Sequence, residues 1–205
     1  MRHVNWTYRP YWASLPHWTH ADHRLLTALR DCGRDPRVAA AARAFSHGGE
    51  HGAVWLAAGL VCAAADRERR QGWLRGTALV GAAHVASMGV KRVVRRQRPR
   101  LSSLEPLVRT LSRHSFPSSH ATAAAAATVA FGALRPASGR LVPPLAAAVC
   151  VSRLVVGVHY PTDVAAGALL GGLTARLGAG WQRAAPVVAE RGRGRGRGGR
   201  GGGHG

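Results

Sequence analysis

The stretch Ser152-Arg153-Leu154-Val155-Val156-Gly157-Val158-His159-Tyr160-Pro161-Thr162-Asp163 lies between two apolar blocks, residues 141–151 and 164–177, the second charged only at Arg176 near its end. Pro161 reads as the first position of a helix, because its missing N–H and fixed φ suit the first turn. That start places Asp163 in the first turn and His159 just before it. A carboxylate four residues beyond a histidine can accept its ring N–H, fix the tautomer and leave the other nitrogen as a base or nucleophile. A capping Asp and an incidental His would satisfy the same spacing. They leave Arg153 unexplained, since a charge in an otherwise apolar segment is costly without a use.

Three more apolar blocks precede these two: residues 52–65, residues 76–90 interrupted by His84, and residues 121–134, nearly pure Ala, Val and Thr. Each is shorter than the roughly 20 residues that cross a bilayer, although flanking residues extend several of them. On length alone they would also serve as core helices of a soluble bundle. Uncharged faces recur all round the helices, however, and Gly167 and Gly171 are spaced for close helix contact. The reading is all-α: a polytopic transmembrane helical bundle of about five to six helices, multi-pass in the cell membrane.

Upstream, a helical pattern begins at Asp22 with Leu25, Leu26 and Leu29 on one face, and a second helix starts at Pro36 and runs through Val38 to Phe45. Both read as amphipathic rather than spanning. Trp6, Tyr8, Tyr11, Trp12 and Trp18 lie beside Arg and His, which suits a membrane interface or a loosely ordered tail. No cationic start leads into an apolar run there, so no cleavable secretory signal is expected. Residues 191–205 alternate Arg with Gly and hold no apolar side chain, as a flexible cationic arm does. The expected division is an interfacial segment over residues 1–50, a membrane domain over 51–183 and a disordered tail over 184–205.

Lys and Arg number 29 against 9 Asp and Glu, a formal charge of +20 over 205 residues. Removing the tail's five Arg lowers it only to +15, so the folded part is itself cationic. Such a chain meets something anionic: a nucleic acid, a membrane surface or a phosphorylated substrate. With 46% hydrophobic residues, wholesale disorder is excluded. The mean hydropathy of −0.07 averages over apolar blocks and the Arg runs between them. Cys32, Cys62 and Cys150 are too few and too far apart for a disulfide framework or a zinc site, and read as reduced packing residues.

Two further stretches concentrate reactive side chains at block ends. In Lys91-Arg92-Val93-Val94-Arg95-Arg96-Gln97-Arg98-Pro99, a solvated anchor accounts for Arg92, Arg95 and Arg96, yet a run this dense also makes a cradle for phosphate oxygens. In Ser115-Phe116-Pro117-Ser118-Ser119-His120, Pro117 reads as the first helical position, which sets the Ser118 and Ser119 amides at a helix N-terminus, where an anion is favoured. Ordinary capping serines fit that stretch equally well. If all five blocks span, the three stretches fall on one membrane face.

These residues resemble the superfamily of phosphatidic acid phosphatases and haloperoxidases, in its lipid-phosphatase branch. Lys91 to Pro99, Pro117 to His120 and Ser152 to Asp163 match its three signatures in order and spacing, with Ser119 where Gly is commonest. The resemblance implies that His159 attacks phosphorus to form a phosphohistidine, oriented by Asp163, and that His120 protonates the leaving oxygen and then activates water. It implies that Lys91, Arg98, Ser118, Ser119 and Arg153 hold the phosphate oxygens, and that no metal or other cofactor takes part. The sequence itself offers only scattered acids, unsuited to magnesium.

His47-Gly48-Gly49-Glu50-His51 fits the His-x-x-Glu-His zinc pattern, but two glycines weaken the helix it needs by about 2 kcal/mol. The segment from Ser46 to His51 instead looks like one in the branch that dephosphorylates polyprenyl-phosphoryl phosphoribose, a lipid-linked precursor of cell-wall arabinan. His84, on one face with Met88 and Lys91, reads as a packed histidine. The expected function is therefore a membrane lipid phosphatase with a lipid-linked phosphate as substrate and no specific nucleic acid. Polyprenyl pyrophosphate and phosphatidic acid are alternative substrates, and a soluble acid phosphatase or vanadate haloperoxidase would use the same constellation. From another class, an Arg/Gly-rich nucleic-acid-binding membrane protein also stays open.

Overall fold

Residues 121–130, Ala and Val with two Thr, are small on every side, so the helix that contains them can be packed against on all faces. In a computed structural model that describes residues 17–48, 52–100, 105–110 and 112–184, this helix is the axis of the molecule. The elements in order are α1 (His17–Cys32), α2 (Pro36–Gly48), α3 (Ala53–Ala65), α4 (Arg70–Val94), α5 (Ser119–Gly132), α6 (Pro136–Val155), α7 (Pro161–Leu177) and α8 (Ala179–Arg183). The described residues form no strand, only an isolated bridge between Gln97 and His114. The fold is all-α, as the sequence predicts.

Helix α5 packs against α4, α6 and α7, with Ala121, Ala123, Ala124, Ala126, Ala127 and Ala130 fully buried. Alanine gives up no rotamer freedom and lets neighbouring backbones come close. On α7 the approach is closer still: a Cβ placed on Gly167 would lie 2.5 Å from the Ser118 carbonyl oxygen. The small-residue spacing is thus a helix contact, as expected. Phe131 and Trp73 close the far end of the core, with ring centroids 5.5 Å apart.

Each apolar block became a helix, and most are longer than the block. The block at 76–90 is the middle of the 25-residue α4, and the block at 141–151 extends back to Pro136, making α6 a 20-residue helix that contains Pro143 and Pro144. Among the described residues, α6 alone is long and apolar enough by composition to cross a membrane. Helix α8 was not anticipated. It is fixed by Gln182, whose Nε2 donates to Ala130 O at 2.8 Å and caps a free carbonyl at the end of α5.

Helix α2 begins at Pro36, as the sequence places it, whereas α1 begins at His17, before the expected start at Asp22, and buries a different face. Asp22, Leu26 and Arg30, spaced by four, point inward, while Leu25 is 56% exposed. Both helices dock on α6, and α1 also touches α7. Trp6, Tyr8, Tyr11, Trp12 and the Arg/Gly tail lie outside the described residues, and the three cysteines are unpaired.

At the α3–α4 connection, Asp66 takes a two-pronged bond from Arg135, 2.7 Å at each oxygen, plus Trp73 Nε1 at 3.0 Å. Arg135 hydrogen bonding holds this carboxyl well below the usual carboxylate range. A depressed carboxyl stabilises the fold above its unfolded pKa of about 3.9, and that contribution is lost as pH falls through the folded value. Acidification below about pH 4 is therefore expected to lower the thermal midpoint of the wild type more than that of Asp66→Asn, measured in detergent across the acid range.

Candidate active site

The three stretches meet. Lys91 from the last turn of α4, Arg98 from the following loop, Ser119 and His120 from the start of α5, Arg153 from the last turn of α6, and His159 before α7 line one cavity of about 250 Å³.

Local geometry explains the placement of His159. Gly157 sits at φ 78°, a left-handed conformation that turns the chain sharply out of α6. Pro161 then opens α7, and the Asp163 Oδ2 accepts the Tyr160 amide at 2.9 Å, closing a capping box. His159 Nδ1 faces the same Oδ2 at 3.6 Å, beyond hydrogen-bonding distance. The expected direct bond is therefore a close, unclosed approach, of the kind that tightens when substrate binds. The second ring nitrogen, Nε2, lies 3.3 Å from Arg98 Nη1. A guanidinium can only donate, which makes Nε2 the acceptor and puts the ring proton on Nδ1, an assignment made from these surroundings.

Arg98 is held by two backbone carbonyls, Ser112 O at 2.8 Å and Val158 O at 2.7 Å. Burial pushes its pKa down to about 10, so it stays charged at neutral pH. Burial first, and then the like charges that Arg98, Arg153 and Lys91 would present to an imidazolium, hold His159 well below its usual value of 6.5. The ring is consequently neutral at pH 7, the form that can act as a nucleophile. Arg153 is 4% exposed, and its Nη1 donates to the Ser46 hydroxyl of α2. His120 bonds through its ring to the Ser46 backbone, and its Nε2 has no partner among the described residues.

Several expectations are corrected. Pro117 is not the first helical residue: Ser118 is the N-cap and α5 begins at Ser119. Ser118 is buried outside the cavity, with its N–H donating to Asp163 O at 2.9 Å and its hydroxyl accepting from Ala121 N at 3.4 Å. It fastens α5 to α7, while Ser119, with a first-turn amide that no helical carbonyl takes, lines the cavity. Arg92 and Arg95 are exposed as a solvated run should be, but Arg96 turns inward and bonds Asp163 Oδ1 at 2.9 Å. His84 lines the cavity beside Met88 instead of packing in the core. Helix α2 ends at Gly48. Glu50 and His51 of the zinc-like pattern lie outside the described residues.

Sequence reasoning missed Asp22, which reaches Arg96 and Thr162 from α1, and the roles of Ser46 and Arg30. Arg30 Nη2 donates to Glu105 O at 2.7 Å and its Cδ fills the space a Cβ on Gly157 would need, 3.1 Å away. Arg109 and Thr110, also unassigned from sequence, form part of the cavity wall.

The chain is similar to several known proteins. A decaprenylphosphoryl-5-phosphoribose phosphatase of Mycolicibacterium smegmatis is 48% identical over 134 residues, 64% of this chain and 72% of that protein. The Mycobacterium tuberculosis protein of the same name is 43% identical over 155 residues, 73% of this chain and 85% of its own. A transmembrane PAP2-type phosphatidylglycerolphosphate phosphatase from Bacillus subtilis, known from its crystal structure, shares the fold with a TM-score of 0.71 at 24% identity, covering 89% of this chain and 91% of that one. Residues 72–186, which span most of α4, all of α5 to α8 and all three site stretches, match the PAP2 superfamily. On that match and those relatives, the chain belongs to the PAP2 superfamily.

Proposed function

We propose that the chain is a multi-pass membrane phosphatase that removes the phosphomonoester from a polyprenyl-phosphoryl phosphoribose through a phosphohistidine at His159. The observation that carries this reading is the position of His159: buried at the cavity wall, neutral, and surrounded by Lys91, Arg98 and Arg153 from three separate parts of the chain. Relatives named for a phosphoribose lipid substrate support the substrate class.

In this reading the three cations take the charge of the incoming phosphate dianion, and the Ser119 amide adds the positive end of α5. His159 Nε2 attacks phosphorus, the P–O ester bond breaks, and the departing alkoxide takes a proton from His120. The bound dianion offsets the cations that face His120, which favours its protonated ring before attack. Water then attacks the phosphohistidine, gives its proton to His120, and releases inorganic phosphate as the P–N bond breaks. Asp163 keeps Nδ1–H directed away from the reaction and balances the charge that develops on the ring.

The membrane assignment rests on the outer surface. Val54, Leu60 and Val61 on α3, Val85 on α4, Leu141, Leu145 and Val151 on α6, and Leu169, Leu173 and Leu177 on α7 are all exposed. Apolar side chains spread over four helices suit lipid and would be a liability in water.

Phosphate release from detergent-purified chain tests the reading. Polyprenyl-phosphoryl phosphoribose is expected to be the best of a panel that includes polyprenyl pyrophosphate, phosphatidic acid and phosphatidylglycerol phosphate, with turnover unchanged by a chelator. Preference for another lipid would move the chain to another branch, and loss of turnover on chelation would refute the mechanism.

A further inference from the structure

Helix α1 lies outside the region matched to the family, yet it buries a carboxylate against the site. Asp22 is 2% exposed. Its Oδ1 accepts the Thr162 amide at 2.9 Å, and its Oδ2 accepts Arg96 Nη2 at 2.9 Å and the Thr162 hydroxyl. Arg96 passes its other nitrogen, Nη1, to Asp163 Oδ1 at 2.9 Å and to Thr162 Oγ1 at 2.7 Å, and its guanidinium lies 4.1 Å over the Tyr160 ring. One guanidinium is thus clamped between two buried carboxylates, and the second of these faces His159 Nδ1.

We propose that Asp22 is a positioning residue for the phosphoryl transfer, setting through Arg96 how Asp163 holds His159. The inference rests on the phosphohistidine reading. A guanidinium shared by two carboxylates neutralises each only in part, so Asp163 keeps charge with which to hold the imidazole N–H. Without the charge of Asp22, the whole of Arg96 falls on Asp163. The pull on Nδ1–H weakens just as attack on phosphorus builds positive charge on the ring. Asp22 also satisfies a first-turn amide of α7, the turn that bears Asp163, and so fixes the tilt of that carboxylate. Both effects act on the chemical step and leave the phosphate cradle of Lys91, Arg98 and Arg153 in place.

The test uses the full chain in detergent with polyprenyl-phosphoryl phosphoribose, and active sites are counted from the burst of phosphoenzyme so that misfolded molecules drop out of the rate. Asp22→Asn keeps the shape and an acceptor oxygen but loses the charge. Its kcat per titrated site is expected to fall about 10–100-fold, the range for outer partners that orient a reactive histidine, with KM within about twofold. Asp22→Glu is expected to recover part of the loss. In an Arg96→Gln background, Asp22→Asn is expected to cost little more, because its effect runs through that guanidinium. A kcat per site within twofold of wild type, or strictly additive losses in the double variant, would overturn the proposal. Activity retained in His159→Gln would instead sink the phosphohistidine reading itself, whereas an inactive His159→Gln beside a fully active Asp22→Asn would remove only the role of Asp22.

Discussion

His159→Gln is expected to lose turnover by about 10⁴-fold or more while the protein remains folded. Gln carries no nucleophilic nitrogen, so the covalent step has no substitute. The surrounding cradle should survive, because Arg98 is fixed by the Val158 and Ser112 carbonyls and Arg153 by Ser46, none of which depends on the imidazole. Substrate binding should therefore change far less than kcat. Acid-labile, alkali-stable phosphate on the protein is expected in rapidly quenched wild type, as a P–N bond requires, and is expected to be absent in the variant. His120→Gln provides the contrast: general acid–base work contributes about 10²–10⁴-fold, and a substrate with a good leaving group should still form the adduct and then release it slowly. Equal adduct in wild type and His159→Gln would place the nucleophile elsewhere.

What could be read from sequence divides along physical lines. The α6–α7 connection was legible because its determinants are local: Pro161, Asp163 and His159 lie within five residues, and proline and capping chemistry act at that range. The five core helices were legible as apolar blocks, since burial in lipid or protein selects the same composition. Asp22 gave no such signal. Its partners lie 74 and 140 residues away, and a carboxylate on a short amphipathic helix reads as a solvent-facing charge until the fold shows what covers it. Arg96 was misread for the same reason, as one Arg among exposed neighbours in a run. Residues 17–48, expected within an interfacial segment, supply Asp22, Arg30 and Ser46 to the supports behind the reactive groups. Pro117 shows a subtler miss. Proline and serine both mark helix starts, and only the bond from the Ala121 amide to Ser118 Oγ shows that serine is the cap.

Gly171→Ala is expected to destabilise the protein by about 1–3 kcal/mol or more, and Gly172→Ala, one residue along the same helix, to be neutral or stabilising by up to about 1 kcal/mol. The two substitutions add the same methyl group and gain the same helix propensity, so only the surroundings differ. At Gly171 the new Cβ would lie 2.0 Å from the Thr122 carbonyl oxygen, 2.8 Å from its carbon and 3.0 Å from its Cα. All three are backbone atoms of α5 that no rotamer change can move, so the helices must separate. At Gly172 nothing lies within 4 Å of the added methyl. Separation at Gly171 also reaches the site, because α5 opens with Ser119 and His120 and the first turn of α7 bears Asp163, joined by the Ser118 amide on the Asp163 carbonyl. Gly171→Ala should thus lower both the thermal midpoint in detergent and kcat, and Gly172→Ala neither. If the two variants melt together at the wild-type midpoint, α7 does not sit against α5 through Gly171, and the geometry that brings Asp163 behind His159 loses its foundation.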